Sequence, residues 1–418
     1  MKFKFKDLGF ISNAELEMGD LTIVSGPNNT GKTYLSYAIY GYLRSFLEHS
    51  VFSVDDKIID ELIDTQETII DLSHYQELID DYVSGANESF SSDLDSFFSV
   101  PEGFFEKSEV SLEIDDSEFN TDNKFNSGVR NRRGFSVLFT KEKGDSNLII
   151  TCEGDFKKNI SKPGLKAQIS RMIAKSIFDQ GWGAPFVVTS ERTGVALFYK
   201  ELDISKNKLL SHIAESKELD PIEMLNSMRS RYATPIQDNI DVVRDFDQIV
   251  KSKSYLRRNA NTYAPVLDAL KDLVAGSFKN SDGMLQYKPR RRNSPQVPLY
   301  VASSSVKSLF LIDLYINYIS LPGGLLIIDE PELNLHPDNQ RKMARLITRL
   351  VNSGVKVLIT THSDFLIREF NNSVILSNDF EDKQKVMKKH KYISEDILSP
   401  KQVEAYSVSD KGILKKRA

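Results

Sequence analysis

The sequence predicts an α/β fold with a mixed and largely parallel sheet core flanked by helices. Residues 21–25 form a short apolar run that is followed by a glycine-rich loop and then by helix-like spacing. Residues 323–337 and 355–363 each contain an apolar run that ends in polar residues, with an amphipathic helix pattern between them. Strands that are apolar on both faces and joined by a helix are typical of parallel sheets, whose ligand site lies at the carboxyl ends of the strands.

The composition is that of an ordinary globular protein. The chain has 418 residues, of which 40% are hydrophobic and 27% charged, enough for one large core or two to three moderate ones. Cys152 is the only cysteine, and no apolar run is long enough to span a bilayer. The first ten residues contain no signal-peptide core. These features predict a cytoplasmic protein without a membrane segment.

Charge is unevenly distributed along the chain. Residues 51–120 carry twenty Asp or Glu and only two lysines, whereas the net charge of the whole chain is −5. The remainder is therefore net basic. An acidic segment repels nucleic acid and a basic one attracts it, although charge runs are usually solvated surface.

The N-terminal region predicts three short strands and a helix. The strands cover about 2–6, 12–18 and 21–25, and the Lys-Phe alternation of the first indicates an edge strand with one buried face. A helix pattern then runs from the glycine-rich loop to about residue 47. Its apolar positions are Leu35, Ala38, Ile39, Tyr42, Leu43 and Leu47.

Residues 51–183 predict an acidic insertion that is first helical and then β-rich. An amphipathic helix is expected over 51–83, with Ile58, Ile59, Leu62, Ile63, Ile69 and Ile70 as its apolar residues. A loop is expected over 84–107. Strands follow in "SEVSLEI", "GFSVLFT" and "NLIITC", the last two joined by a hairpin turn, and a helix covers 164–179.

The remaining residues predict a head formed by 1–50, 184–200 and 286–400, with a helical insertion over 201–285. Residues 184–190 form a short buried strand, and 204–275 are mostly helical, as in "PVLDALKDLV". A further strand is expected near 373–377. No heptad pattern is long enough for a coiled-coil arm.

The stretch "GPNNTGKT", residues 26–33, satisfies the phosphate-loop pattern G-x-x-x-x-G-K-[ST]. Its glycines let backbone N–H groups point at phosphate oxygens, while Lys32 supplies a positive charge and Thr33 a hydroxyl ligand for Mg²⁺. The alternative is a plain glycine-rich turn. The expected nucleotide-binding residues here are Gly26, Asn28, Asn29, Thr30, Gly31, Lys32, Thr33 and Tyr34.

Two acids end the apolar run "LLIIDE". Asp329 is suited to hold Mg²⁺ and Glu330 to orient an attacking water, as in a Walker B strand. Because burying charge is costly, paired acids at the end of a core strand indicate a cation or a proton transfer. A surface strand end is the alternative.

His362 follows the next apolar run, "VLITT". A histidine there could contact a terminal phosphate and the catalytic water. Alone it would more often be an ordinary core or surface histidine, but its register with the other two motifs favours the catalytic interpretation.

Three consecutive serines, Ser303, Ser304 and Ser305, precede a long apolar helix pattern. One serine is enough to cap a helix, so ordinary capping is the first interpretation. The two spare hydroxyls, with free N–H groups beside them, would also form an anion site.

The order of these motifs resembles that of the ATP-binding-cassette (ABC) ATPases of the RecF, SMC and OLD branch. That branch includes ATPase subunits of bacterial anti-phage systems such as Septu and PARIS. The resemblance covers about residues 1–45 and 295–378, with a weaker match at "PFVVTSERTG". It implies an ABC-type ATPase head that binds ATP and Mg²⁺.

The resemblance also implies a site shared by two subunits arranged head to tail, as a dimer or a higher oligomer. The three serines would then contact the ATP of the partner subunit. The segment reads Ala-Ser-Ser-Ser-Val where these ATPases usually have Leu-Ser-Gly-Gly-Gln. Because serine restricts close backbone approach more than glycine does, this difference bears on how tightly the two subunits close and how fast ATP is hydrolysed. Glu332, Leu335 and His336 match a loop that usually lies at the subunit seam. Arg192 would link the nucleotide to the insertion or form a structural ion pair.

Basic clusters at 129–134 and 287–295 make DNA or another nucleic acid a candidate partner, with exposed surface arginines as the alternative. Too few residues follow the expected strand near 373–377 for a Toprim domain, so a nuclease effector is expected on a separate chain. The resemblance therefore predicts an ATPase that regulates such an effector in anti-phage defence. A RecF-like ATPase of DNA repair or maintenance is the alternative, a transporter ATPase is less favoured, and a nearly inactive ATP-binding scaffold remains open.

Overall fold

The computed structural model describes residues 1–115, 123–130, 136–154, 161–178, 185–198, 232–281 and 283–417. It has a mixed α/β fold, as the sequence predicts. The centre is a six-stranded sheet. Its strands are β3 (Leu21–Ser25), β9 (Phe186–Val188), β13 (Leu325–Asp329), β14 (Lys356–Thr361), β15 (Val403–Val408) and β16 (Leu414–Arg417). They lie in the order β16-β15-β3-β14-β13-β9.

All neighbouring strands of this sheet are parallel except β15 and β16. The register places Asp329 beside Thr360 and Thr361 beside Ser25. The carboxyl ends of β3, β13 and β14 therefore lie together at one edge, where the predicted motifs begin. The sheet also includes residues 403–417, beyond the predicted head segment that stops at residue 400.

Both faces of the central sheet are covered, because successive side chains of a strand point to opposite sides. Leu325 and Ile327 of β13 belong to one hydrophobic core, and Leu326 and Ile328 belong to the other. All four are at most 3% exposed. This two-sided burial explains why β13 appears in the sequence as an uninterrupted apolar run.

The first core contains the phosphate-loop helix (Lys32–His49) and the N-terminal sheet. That sheet has the order β2-β1-β5, with β1 (Lys2–Leu8), β2 (Ile11–Glu17) and β5 (Glu109–Glu113). The prediction of β1 as an edge strand is wrong, because β1 pairs with β2 on one side and with β5 on the other. The second partner comes from more than a hundred residues away, beyond the range of local pattern.

The acidic segment packs into this same first core through residues such as Ile59, Phe90 and Ile150. Its sheet has the order β4-β8-β7-β6, with β4 (Glu67–Asp71), β6 (Phe125–Arg130), β7 (Ser136–Lys141) and β8 (Asn147–Glu153). Its helices are Asp56–Thr65, Ser73–Gln76, Ile79–Ser92, Leu94–Phe98 and Lys162–Phe178.

Two predictions for the acidic segment are wrong. The expected helix over 51–83 is interrupted by β4, which carries Ile69 and Ile70, because this stretch pairs with β8. The expected loop over 84–107 is largely helical up to Phe98. There the aromatic side chains supply the buried face, since Phe90 packs against Tyr42 of the phosphate-loop helix.

The second core contains several further helices and a small sheet of β10 (Gly276–Ser281), β11 (Met284–Pro289) and β12 (Val297–Pro298). The helices are Thr234–Arg244, Phe246–Ile249, Tyr255–Arg258, Ala264–Val274, the serine helix (Ser304–Leu314) with its π-helical extension Tyr315–Ile319, Pro337–Asn352 and Asp364–Ile375. The sequence predicts a helical insertion over 201–285. The part of it up to residue 231 lies outside the described residues. Its last residues form β10 and the start of β11 rather than helix.

The strand expected near 373–377 is absent, because helix Asp364–Ile375 covers that position and turns Phe370 and Ser373 inward. A basic helix, Lys383–His390, and the 3₁₀ turns Ser394–Asp396 and Pro400–Gln402 then lead to β15. In the described part of the chain, no helix is both long and apolar enough to cross a bilayer.

Candidate functional site

The phosphate loop joins the end of β3 to the phosphate-loop helix. Gly31 has a φ of 94°, which disfavours any residue with a Cβ, and a Cβ there would approach the Ile11 side chain at 2.9 Å. At Gly26 a Cβ would come within 2.6 Å of the Val408 carbonyl oxygen. Asn29 is also left-handed, with a φ of 62°. The two glycines are therefore required by the close passage of the loop against β2 and β15.

The Lys32 side chain folds back over this loop. Its Nζ donates to the carbonyls of Gly26 at 3.0 Å and of Pro27 at 2.6 Å, and Thr30 Oγ1 donates to the Pro27 carbonyl at 2.9 Å. Lys32 is only 6% exposed, and burial lowers the pKa of its ammonium group, opposed by nearby carboxylates. The structure thus places a cation inside the loop, where it is suited to bind an anion.

Thr33 and Asp329 meet beside the loop. Thr33 Oγ1 lies 3.1 Å from Asp329 Oδ2, and Thr360 donates a short hydrogen bond to Asp329 Oδ1. Burial raises the pKa of the Asp329 carboxyl, while hydrogen bonds from Thr360, Thr33 and Ser190 oppose that rise. A hydroxyl and a carboxylate oxygen at this distance suit Mg²⁺, which takes few protein ligands when phosphates supply the others.

Glu330 follows Asp329 in a left-handed conformation, with a φ of 51°. Its N–H group donates to the carbonyl of Thr360 at 3.1 Å. Its Oε1 lies 3.3 Å from Nδ1 of His362. Non-glycine residues with this backbone conformation are uncommon and concentrate at functional sites. The local backbone therefore directs the Glu330 carboxylate toward His362.

His362 is also held by Glu332. Glu332 Oε1 accepts hydrogen bonds from the His362 N–H at 2.9 Å and from Thr361 Oγ1 at 2.8 Å, and it lies 3.3 Å from His362 Nδ1. The Glu332 carboxylate is 5% exposed, and its Oε2 has no protein partner among the described residues. The imidazole is thereby placed between two carboxylates.

The three residues of the loop matched to a subunit interface differ in how far they are exposed. Glu332 and Leu335 are buried, whereas His336 is exposed and caps the helix Pro337–Asn352. Burial of Glu332 is explained by its bonds to β14, which the sequence did not indicate. Of the three, His336 is the one whose side chain a partner could reach directly.

The three serines begin the serine helix, as the sequence predicts. Ser303 is the N-cap residue and accepts a hydrogen bond from the N–H of Val306 at 3.4 Å. Ser303 and Ser304 are exposed and Ser305 is half-buried. Among the described contacts, none joins these serines to the phosphate loop of the same chain. Two exposed apolar side chains, Tyr300 and Val301, lie just before them.

Tyr34 packs in an aromatic cluster. Its ring centroid lies 5.4 Å from that of Phe98, 6.1 Å from Phe105 and 6.4 Å from Phe10. These contacts give its ring a packing role that the sequence pattern did not reveal. Its predicted contact with nucleotide stays a prediction.

The structure describes all of the second basic cluster but only part of the first. Residues 131–135 and the Arg130 side chain lie outside the described part, so the first cluster has no structural account. In the second cluster Arg290, Arg291 and Arg292 are all exposed, and Arg290 pairs with Asp272 at 3.3 Å. The second cluster is thus open to solvent.

Sequence reasoning missed Thr360, whose hydroxyl donates to Asp329 and which also binds the Glu330 N–H. It missed the Tyr37 hydroxyl as well, which donates to Glu191 at 2.9 Å. The doubled threonine before His362 was the available signal, since one of its side chains must face the neighbouring strand end. Arg192 was noted but without its partners. Among the described residues it forms no ion pair, and it donates to backbone carbonyls.

A strand, a phosphate loop and a helix, with adjacent acids at the end of a nearby parallel strand, define the class of P-loop nucleotide-binding α/β proteins. The sequence profile described as "AAA ATPase domain" matches residues 1–367. The chain belongs to this family. No curated protein sequence matches it significantly.

Similar solved structures include heads of SMC proteins. The SMC head bound to the C-winged helix domain of ScpA has 10% identity and a TM-score of 0.36, covering 100% of this chain and 96% of that one. The SMC head domain from Thermotoga maritima has 11% identity and a TM-score of 0.31, covering 100% and 97%. The SMC head from Pyrococcus furiosus with an extended coiled coil, bound to the C-terminal domain of ScpA, has 11% identity and a TM-score of 0.32, covering 100% and 95%.

Proposed function

We propose that this protein is a Mg²⁺-dependent ABC-type ATPase whose subunits assemble head to tail on ATP. The observation that carries the proposal is the meeting of Lys32, Thr33, Asp329, Glu330 and His362 at the carboxyl ends of three parallel strands. These residues come from opposite ends of the chain. Sequence motifs that matched only by chance would not be expected to lie together in the folded chain.

Each side chain has a role that its geometry supports. The loop N–H groups and Lys32 bind the phosphates, while Thr33 and Asp329 hold Mg²⁺, which neutralises charge on the transferred phosphoryl group. Glu330 orients the attacking water and accepts its proton, and His362 contacts the terminal phosphate. Glu332 fixes the His362 backbone and ring.

The serine cluster supports a shared site. Ser303 and Ser304 are exposed, have no described contact with the phosphate loop of their own chain, and adjoin the exposed side chains of Tyr300 and Val301. A partner subunit that presents ATP to these serines would use their hydroxyls and cover the apolar pair. The seam residue His336 lies exposed after the Walker B strand.

Complementation tests this shared site. We expect Lys32→Ala and Ser304→Arg each to be inactive in phosphate release. A mixture of the two restores part of the activity, because one of the two sites in the mixed dimer has an intact loop and intact serines. Ser304→Arg alone, at the same total protein concentration as the mixture, is the matched control. No recovery on mixing, with both variants folded, would contradict head-to-tail assembly.

We propose further that ATP-driven assembly regulates a separate effector, such as a nuclease, in anti-phage defence. The order and spelling of the motifs support this assignment through their resemblance to Septu and PARIS ATPases. Co-purification with the products of neighbouring genes, followed by mass spectrometry, tests it. Recovery of a nuclease is the expected result, and recovery of replication or repair proteins would contradict it.

The exposed arginines favour a second candidate, a RecF-like ATPase that binds DNA during repair or maintenance. Arg290, Arg291 and Arg292 present three positive charges with one acidic neighbour. Such a surface binds phosphate backbones without sequence preference. ATP-stimulated DNA binding without any co-purifying effector would favour this candidate.

A further inference from the structure

Arg192 is the most deeply buried arginine side chain in the described part of the chain, at 1% exposure. Its guanidinium donates to four backbone carbonyls. Nε binds Ser308 at 3.1 Å, Nη1 binds Thr189 at 3.1 Å and Asp329 at 2.8 Å, and Nη2 binds Glu330 at 2.7 Å. Burial lowers its pKa to about 10, so the group stays charged at neutral pH.

These carbonyls come from three separate segments. Thr189 follows β9, Asp329 and Glu330 end the Walker B strand, and Ser308 lies in the serine helix. A single planar group therefore joins the catalytic strand end to the helix that carries the serines. Arginine suits this position because its rigid fork has five donors, whereas lysine has three on one nitrogen.

The Glu330 peptide depends on this contact. Its left-handed backbone is intrinsically unfavourable and persists only where surrounding bonds hold it. The N–H group is held by Thr360 and the carbonyl by Arg192. Together the two bonds set the direction of the Glu330 side chain.

The serine helix contacts the same Arg192 guanidinium group. The Ser308 carbonyl contacts Arg192, and the Ser308 hydroxyl donates to the Ser305 carbonyl at 2.9 Å. A movement of the serine cluster would therefore reach Arg192 within one helical turn.

We propose that Arg192 is a positioning residue that couples the two ATP sites of the dimer. When the serines of one chain close on the partner's ATP, the serine helix shifts the Arg192 fork, and Glu330 of that same chain is brought into its working geometry. Each site then hydrolyses faster when the other is closed, and the single intact site of the Lys32→Ala and Ser304→Arg mixed dimer keeps a reduced rate. This inference rests on the proposed head-to-tail function.

Arg192→Lys tests the coupling, since it keeps the charge and removes the fork. We expect ATP affinity to change by less than about threefold and kcat to fall at least about tenfold, which separates positioning from binding. The Hill coefficient for ATP should fall from above one toward one. Arg349→Lys is the matched control, because Arg349 is only 13% exposed but bonds Asp396 and the Pro265 carbonyl rather than the strand ends of the site.

A second measurement avoids changing Arg192. In a mixed dimer, a Lys32→Ala chain offers its serines to a partner loaded with ATP while its own site stays empty. We expect hydrogen exchange over its residues 327–332 to slow when that ATP binds. Unchanged exchange there, or an Arg192→Lys variant with parental kcat and Hill coefficient, would overturn the inference. If the parent protein itself does not hydrolyse ATP, that result contradicts the proposed function instead.

Discussion

The hydroxyl of Thr33 lies 3.1 Å from the carboxylate of Asp329, although the two residues are 296 positions apart in the chain. The contact forms because β3 and β13 both flank β14 and end at the same edge of the sheet. One residue begins a helix and the other ends a strand. Their meeting defines the candidate metal position.

Replacing Lys32 by alanine should abolish ATP binding. The substitution removes the charge held over the loop by the Gly26 and Pro27 carbonyls. We expect an affinity loss of at least about a hundredfold, measured by calorimetry, since a desolvated charge–phosphate contact is among the stronger polar interactions. Lys342→Ala, at an exposed lysine, is the control. Unchanged ATP affinity in Lys32→Ala would refute the phosphate-loop assignment.

Glu330→Gln should keep ATP binding and block turnover. The amide retains the shape of the side chain but cannot accept the proton of the attacking water. We expect hydrolysis to fall by about 10²-fold or more and an ATP-held assembly to appear in light scattering. Glu381→Gln, on the exposed surface, should behave as the parent. Hydrolysis at the parental rate would exclude Glu330 as the base.

Thr33→Val should remove the dependence of ATP affinity on Mg²⁺. Valine has a similar volume but offers no oxygen, so Asp329 would be left as the protein ligand alone. For the parent we expect EDTA to weaken ATP binding about tenfold or more, and for Thr33→Val only slightly. Thr65→Val, at an exposed helix end, is the control. Equal EDTA effects on parent and Thr33→Val would contradict the metal role.

Gly31→Ala should destabilise the fold, whereas Gly164→Ala should not. Alanine at Gly31 must adopt a φ of 94° and approach Ile11 at 2.9 Å, which we expect to cost about 1–3 kcal/mol. At Gly164, in a helix, the nearest atom would be 3.7 Å away, and alanine should stabilise by about 0.5–1 kcal/mol. Chemical denaturation measures both. Effects of equal sign would refute this account of the loop.

Replacing Arg290, Arg291 and Arg292 by glutamine should weaken DNA binding and reduce the slope of log K against log salt by up to about three. The control replaces Lys4, Lys6 and Lys124, which are at least partly exposed but already paired with Glu113, Glu109 and Glu142. An unchanged slope would identify the arginines as solvated surface.

The sequence by itself determined the phosphate loop, the paired acids, the serine cap and the parallel strands that position them. Each of these is encoded within about fifteen neighbouring residues. Glycine is needed where φ is positive, a continuous apolar run is needed where both strand faces are buried, and serine satisfies free N–H groups at a helix start. Local chemistry was therefore sufficient.

The tertiary structure alone decided what depends on distant partners. Ile69 and Ile70 match a helix pattern but form a strand because β8 pairs with them, and β1 becomes a central strand because β5 returns to it. Arg192 and Glu332 acquire most of their contacts from segments more than twenty-five residues away. Pairing and burial between remote segments override local spacing, because hydrogen bonds and apolar contacts stabilise a strand or a buried charge only once both partners are present.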